Sequence, residues 1–416
     1  MMRLIALLLC LMLPFVSLAE PAGHVDYAGQ LRFNPAGTVT CEATVKTFVD
    51  GDTTHFLVPE SVHPSGVLKA RYLAINTPEI TGKVEEWGKK AAAFTRDKLT
   101  RAESIILQSE NETWNLDSTS ERHLVWVWYR PAGERDYRCL NLEILQNGLA
   151  RANATANNRY GGPCQAALNQ ARAEKLNLYS GQKDPDFYYG SAVELTLREL
   201  RLNLSAYAGM KVAFPGVVTL NNGQSVYVEA LDPDTGLYFG MPVYYGFNMS
   251  GAGLDILSVG NEVRIVGTLQ YYEAGGTWQV SGLSYRAMKP DDPGNIQKLS
   301  SGHSPAWVNV TAERFSGSVV IDGQTYPFAE TALGSTIAVE GLAVEGGYAS
   351  QDGAMTLTCT SQGAEITVRT EPFYDHGTLI TPDRFVGQTI AVRGVADCFE
   401  GGYQIRVLLP GHIIIQ

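Results

Sequence analysis

Three short blocks in the second half of this chain occur twice, in the same order and at nearly constant spacing. The run Val259 to Gly267 matches Val386 to Gly394. Upstream, Gly209 to Gly216 pairs with Gly334 to Gly341; downstream, Glu273 to Val280 resembles Glu400 to Ile405. Such a repeat demands two copies of one unit of roughly a hundred residues. The blocks are rich in Val, Thr, Tyr and Gly and lack helical periodicity, so each copy reads as strands joined by tight turns. The expected units are 190–288 and 316–416. The Pro- and Gly-rich stretch from Lys289 to Gly294, running on to Ser304-Pro305, places a linker at 289–315.

By pattern and spacing, both units resemble small five-stranded Greek-key barrels of the oligonucleotide/oligosaccharide-binding type. The first half has another character. Residues 40–58 alternate apolar and polar and turn at Asp50-Gly51, a hairpin signal. Val67 to Ile75, Ile105 to Leu107 and Leu124 to Tyr129 read as further strands. Glu85 to Leu99 and Gln165 to Leu178 have helical spacing, and Leu140 to Leu149 reads as a helix closed by Gly148. Strands, helix, strands and two helices predict an α+β barrel domain over 37–183. The fold class is thus α+β followed by all-β, in several domains.

The chain opens with a basic start, the apolar run Leu4 to Val16 and small residues before Glu20, which describes a secretory signal peptide over 1–19. Leu9 before Cys10 is too large for a lipoprotein cleavage site. No later stretch is long and apolar enough for a membrane helix. The expectation is an exported monomer, periplasmic or extracellular. Five cysteines remain beyond Cys10, without zinc-site spacing. In an oxidising compartment some should pair. Cys359 and Cys398, both in the last segment, are the expected couple, leaving one of Cys41, Cys139 and Cys164 free. Net charge is −11. Residues 37–181 balance 17 basic against 17 acidic side chains, whereas 182–416 carry 13 and 24. A polyanion is therefore expected to dock on the first half.

That half holds a chemistry-bearing cluster. Val49-Asp50-Gly51-Asp52-Thr53 is followed by Arg71, then Asn76-Thr77-Pro78-Glu79, then Arg122 ahead of an apolar strand. Carboxylates and carbonyls can hold a hard cation, and two guanidiniums can clamp a phosphate. Standing alone, the Asp-Gly-Asp turn is ordinary hairpin chemistry. Together with Glu86 to Thr95, Gln146 to Ala150 and Ala173 to Ser180, these motifs resemble the staphylococcal nuclease (thermonuclease) family over about Thr40 to Ser180.

The resemblance implies a calcium-dependent phosphodiesterase cutting DNA or RNA, endonucleolytically and with 3′-phosphate products; Mg²⁺ or Mn²⁺ are possible replacements for the calcium. It implies Asp52, Asn76 and Thr77 as metal ligands, Thr77 through its carbonyl, with Asp50 supporting them. Glu79 would activate water, and Arg71 and Arg122 would hold the phosphate. Asn76 stands where the family has a carboxylate, so calcium should bind more weakly by about one to two orders of magnitude, each worth about 1.4 kcal/mol. Ser120, Ala154 and Ala156 stand where the family has pocket tyrosines, leaving Tyr160 as a substitute for base stacking. One alternative is a nuclease fold with weakened catalysis that binds nucleic acid or protein. Another is an envelope protein acting through the repeats, which could take single strands, carbohydrate or protein. The aromatics Tyr238, Phe239, Tyr244, Tyr245, Phe247, Tyr271, Tyr272 and Trp278 read either as a stacking face or as packing. Trp126 and Trp128 read as core. The histidines show no metal-ligand spacing.

Overall fold

The structure is a computed structural model that describes residues 24–416, apart from Thr81, Thr119, Ser120, Phe247, Asn248 and Ala274. The leader expected at 1–19 lies outside the described residues. The first domain is built on β1 (Thr40–Phe48), β2 (Thr53–Leu57), β3 (Val67–Tyr72), β4 (Ala102–Gln108) and β5 (His123–Pro131). β1, β2 and β3 form an antiparallel meander, and β4 returns beside β1. β5 lies between β4 and β3, parallel to β3, and closes the sheet into a five-stranded barrel.

Helix α1 (Gly88–Thr100) crosses between β3 and β4 and buries Ala91, Thr95 and Leu99, one residue per turn on one stripe. Helices α2 (Leu140–Gln146) and α3 (Gly161–Ala173) cover the barrel's other side. In α3 the buried stripe is Cys164, Ala167, Leu168 and Ala171. Trp126 and Trp128 are fully buried at the centre of the domain, as the sequence suggests. Their indole N–H groups donate to Glu110 and Gln108, both at 2.7 Å, so burial leaves no polar atom unpaired. A segment before the expected boundary also belongs here. Ala28 is fully buried, and Asp26 receives two hydrogen bonds from Arg138 at 2.8 Å.

The next sheet contains β6 (Lys211–Asn221), β7 (Ser225–Asp232), β8 (Leu237–Tyr244), β9 (Asn261–Tyr272) and β10 (Thr277–Ser281). Its ring order is β6-β7-β8-β10-β9, closed by pairing of β9 with β6, with β8 and β10 parallel. β11 (Gln297–Ser301) extends it along β9, and β12 (Val308–Asn309) opens the third sheet. The stretch 289–315 therefore gives a strand to each neighbour. The third sheet, with β13 (Thr336–Ala349), β14 (Ala354–Ser361), β15 (Ala364–Pro372), β16 (Thr389–Phe399) and β17 (Gly402–Val407), repeats that order, with β13 paired to β16. The repeated blocks fall on equivalent elements: β6 and β13, β9 and β16, and the turns leading to β10 and β17.

These two sheets pack tightly. Gly240 and Gly334 meet backbone to backbone, with no room for a Cβ on either. Glu229, almost fully buried, accepts from the amides of Ala306 at 2.8 Å and Thr336 at 2.7 Å. The expected disulfide is not present. All five cysteines among the described residues are free. Cys359 lies on β14 and Cys398 on β16, and both strands flank β13 from opposite sides. Two strand spacings of about 4.8 Å exceed the roughly 7 Å that a disulfide can bridge between Cα atoms.

Candidate active site

The residues singled out in the first half meet at one end of the first barrel. Asp50 and Asp52 sit on the turn from β1 to β2, Arg71 near the end of β3, Asn76 to Glu79 just beyond it, and Arg122 immediately before β5. Gly51 makes this possible. A Cβ there would lie 2.8 Å from the Thr77 methyl and 2.9 Å from Ala91, so any larger residue would push the two segments apart. Thr95 on α1 ties the turn down by donating to the Gly51 carbonyl at 2.6 Å.

Asp52 is fully buried. One of its oxygens accepts from the Arg71 guanidinium and, at 3.2 Å, from the Thr53 hydroxyl. The other accepts from the Thr77 amide at 2.6 Å. Arg71 also donates to the Asn76 amide oxygen. Asp50 receives the Asp52 amide at 3.0 Å. Arg122 is held by Asp117 at 2.7 Å and reaches toward the Thr53 hydroxyl at 3.5 Å. Glu79 is partly exposed, and its amide donates to Glu85 at 3.3 Å.

The electrostatics show three acids sharing one region. Burial pushes the Asp52 carboxyl up to about 7, and the Asp50 charge adds to it. Burial and then Glu79 raise Asp50. Burial and then Asp52 raise Glu79, against the opposing pull of Arg71 and Arg122. The sequence-selected residues Asp50, Asp52, Arg71, Asn76, Thr77, Glu79 and Arg122 are thus one cluster.

No three His, Cys, Asp or Glu side chains among the described residues surround a common metal position. The chemistry of Asp52, Asn76 and the Thr77 carbonyl nevertheless suits a hard cation, since all three offer oxygen. The crowding of Asp50, Asp52 and Glu79 is excess negative charge that a dication would relieve. Arg71 now occupies part of that role, bridging Asp52 and Asn76.

Tyr160 is not a stacking platform. Its ring packs edge-on against Trp126 at 4.9 Å and Trp128 at 5.6 Å, its hydroxyl donates to Gln108 at 3.1 Å, and it is 7% exposed. Its place at the start of α3 turns it into the core, where flat apolar area is best used. The aromatics of the second sheet divide. Phe239 and Tyr245 are buried, whereas Tyr271 and Tyr272 are exposed.

Residues 69–181 match the staphylococcal nuclease homologue family. The matched segment spans β3 to the end of the first domain and carries Arg71, Asn76, Thr77, Glu79 and Arg122. Asp50 and Asp52 lie just upstream of it. This segment thus has a nuclease-type fold, and nucleic acid is the substrate that such a fold implies. No curated protein matches the chain in sequence. No helix among the described residues is long and apolar enough to cross a membrane. Partners that sequence reasoning missed are Asp117, which holds Arg122, and Glu85, which holds the Glu79 backbone. Asp117 lies only five residues from Arg122, so its nearness is a signal the sequence does carry.

Proposed function

We propose that the first domain is a metal-dependent phosphodiesterase acting on DNA or RNA, endonucleolytically and with 3′-phosphate products. The observation that carries this is the convergence of Arg71 and Arg122 with Asp50, Asp52 and Glu79 at one barrel end. Arg71 and Arg122 bind the non-bridging phosphate oxygens and stabilise the charge that grows there; one such donor is typically worth about 3 kcal/mol. Glu79, with its proton affinity raised by burial and by Asp52, takes a proton from the attacking water. Asp52, Asn76 and the Thr77 carbonyl would hold calcium, with Asp50 orienting Asp52 through its amide. Calcium when bound supplies positive charge beside the phosphate. Arg71 must leave Asp52 and Asn76 to reach substrate.

We further propose that the two later sheets are barrels of the oligonucleotide/oligosaccharide-binding type. Support comes from the shared strand order and from the repeated blocks on equivalent strands. Export follows from the leader-like start and is part of the same reading.

A second reading is a fold with weakened catalysis, and one observation favours it: Arg71 donates to both side-chain oxygens that would ligate the metal. Release of acid-soluble nucleotides from DNA and RNA separates the two. Activity with Ca²⁺ that is lost in EDTA and in Glu79→Gln supports the enzyme. Wild type no faster than Glu79→Gln across Ca²⁺, Mg²⁺ and Mn²⁺ supports the second reading.

A further inference from the structure

The first domain uses its own large aromatics for packing. Tyr72, Trp126, Trp128, Tyr129 and Tyr160 are all buried. Aromatic surface near the acidic cluster comes instead from the second sheet. Gln270 on β9 donates to the carbonyl of Ile80, the residue after Glu79. A Cβ on Gly282 would stand 3.1 Å from the Gly82 carbonyl, so the loop after Glu79 rests directly on this sheet. Between the two domains lies a cleft of about 220 Å³ with Asp50 and Ile80 on one side and Tyr271, Tyr272 and Trp278 on the other.

Tyr271 and Trp278 face each other across β9 and β10 with ring centres 5.4 Å apart. Tyr272 is 38% exposed and Tyr271 51%, unusual for rings at an interdomain seam. Lys89 also lines the cleft and forms no ion pair among the described residues. Arg96 lies over the Phe48 ring at 4.4 Å and is neutralised by Glu273. The cleft reaches the acidic cluster through Asp50, and its lining residue Ile80 directly follows Glu79 in the chain. Burial and the Glu79 charge both raise the Tyr244 phenol, and Tyr272 is raised by burial and by Tyr244.

Exposed rings beside a free ammonium fit a single nucleic-acid strand better than a neutral ligand, because every base has a stacking face and every step a phosphate. We propose that this cleft is a base-stacking subsite for the strand whose phosphate lies at Arg71, Arg122 and Glu79. Tyr272 and the Tyr271–Trp278 pair form its wall, and Lys89 contacts a neighbouring phosphate. This deepens the phosphodiesterase reading and rests on it for the position of the phosphate. The accessory domain then supplies part of the substrate site, although the second half of the chain is acidic as a whole.

The test uses the full chain carrying Glu79→Gln, in EDTA and at low salt, titrated with a single-stranded deoxyoligonucleotide. Tryptophan fluorescence and fluorescence anisotropy report binding. Tyr272→Ala should weaken it about tenfold, and Tyr272→Phe, which keeps the ring, should recover it. An abasic oligomer of equal length should bind both forms alike. Trp278→Phe should remove most of the fluorescence change while binding persists by anisotropy. An unchanged urea midpoint for Tyr272→Ala excludes misfolding, which its exposure makes the expected result. No oligonucleotide binding, or equal binding by Tyr272→Ala and Tyr272→Phe, overturns the cleft. Ring-dependent binding without hydrolysis by the unsubstituted chain in Ca²⁺, Mg²⁺ or Mn²⁺ removes the phosphodiesterase reading and keeps the strand site. Hydrolysis of the oligonucleotide with the same KM in Tyr272→Ala removes the strand site and keeps the enzyme.

Discussion

Removing the Arg71 guanidinium should damage stability more than removing both members of its ion pair. Asp52 has no exposed surface, and Asp50 and Glu79 stand beside it. Two unit charges about 4 Å apart at an effective dielectric of 20 interact by about 4 kcal/mol. With Arg71→Met, Asp52 keeps the Thr77 amide and Thr53 hydroxyl but faces two like charges. Breaking a buried pair from one side typically costs about 3–5 kcal/mol, and that range is expected here. Adding Asp52→Asn removes the stranded charge. An amide oxygen can still accept from Thr77, so the double variant should lose only about 1–2 kcal/mol. The double variant should then be about 2–3 kcal/mol more stable than Arg71→Met. Urea unfolding in EDTA at about pH 9, where the Asp52 carboxyl that burial pushes up to about 7 is charged, is followed by fluorescence of the buried Trp126 and Trp128 and reads the first domain directly. A double variant within about 0.5 kcal/mol of Arg71→Met would refute the reasoning, because the cost would then be lost packing and not charge.

Asn76→Asp restores a carboxylate to the oxygen set and should lower the calcium needed for half-maximal hydrolysis by about tenfold or more; an unchanged calcium titration would exclude Asn76 from that set. Glu229→Ala strands the buried amides of Ala306 and Thr336 and should cost about 3 kcal/mol. Calorimetry should then show the second and third sheets melting earlier, and an unshifted transition would contradict the contact. Hydrogen bonds from Arg138 hold Asp26 well below the usual carboxylate range. Its folded pKa is depressed, so its contribution is present above the unfolded value of 3.8 and fades as pH falls from there toward the folded one. The protection of the residue 26–31 amides against exchange, relative to their intrinsic rate, should therefore fall in acid, and Asp26→Asn should flatten that response; equal acid sensitivity in the variant would count against the link.

Much of the fold is readable from local pattern because its elements obey a single period. The stripe in α1 and the alternation in β1 each follow from one face meeting one core. The glycine after α2 has φ 66°, the left-handed geometry expected of Gly148 as a helix stop. The start of α3 was less legible. The helical spacing starts only at Gln165, yet Gly161-Gly162-Pro163 form the first turn, where proline's missing N–H is harmless. Disulfide pairing could not be read, because closeness along the chain does not place Cys359 and Cys398 on adjacent strands. Tyr160 is hidden from local pattern for a related reason: its neighbours in sequence say nothing of the two indoles it packs against.

The sequence by itself determined the kinds of chemistry present: two arginines, three acids and one amide at spacings that suit a phosphate and a hard cation. It also determined that a strand-rich unit occurs twice, since duplication is visible without any structure. Only the tertiary structure decided who meets whom. It set Arg71 between Asp52 and Asn76, because the turn after β1 and the end of β3 close on Gly51. It brought Gln270 onto the Ile80 carbonyl, just after Glu79, across 190 residues of chain. Contacts of that kind arise when separate domains bury surface against each other, and no local period records them.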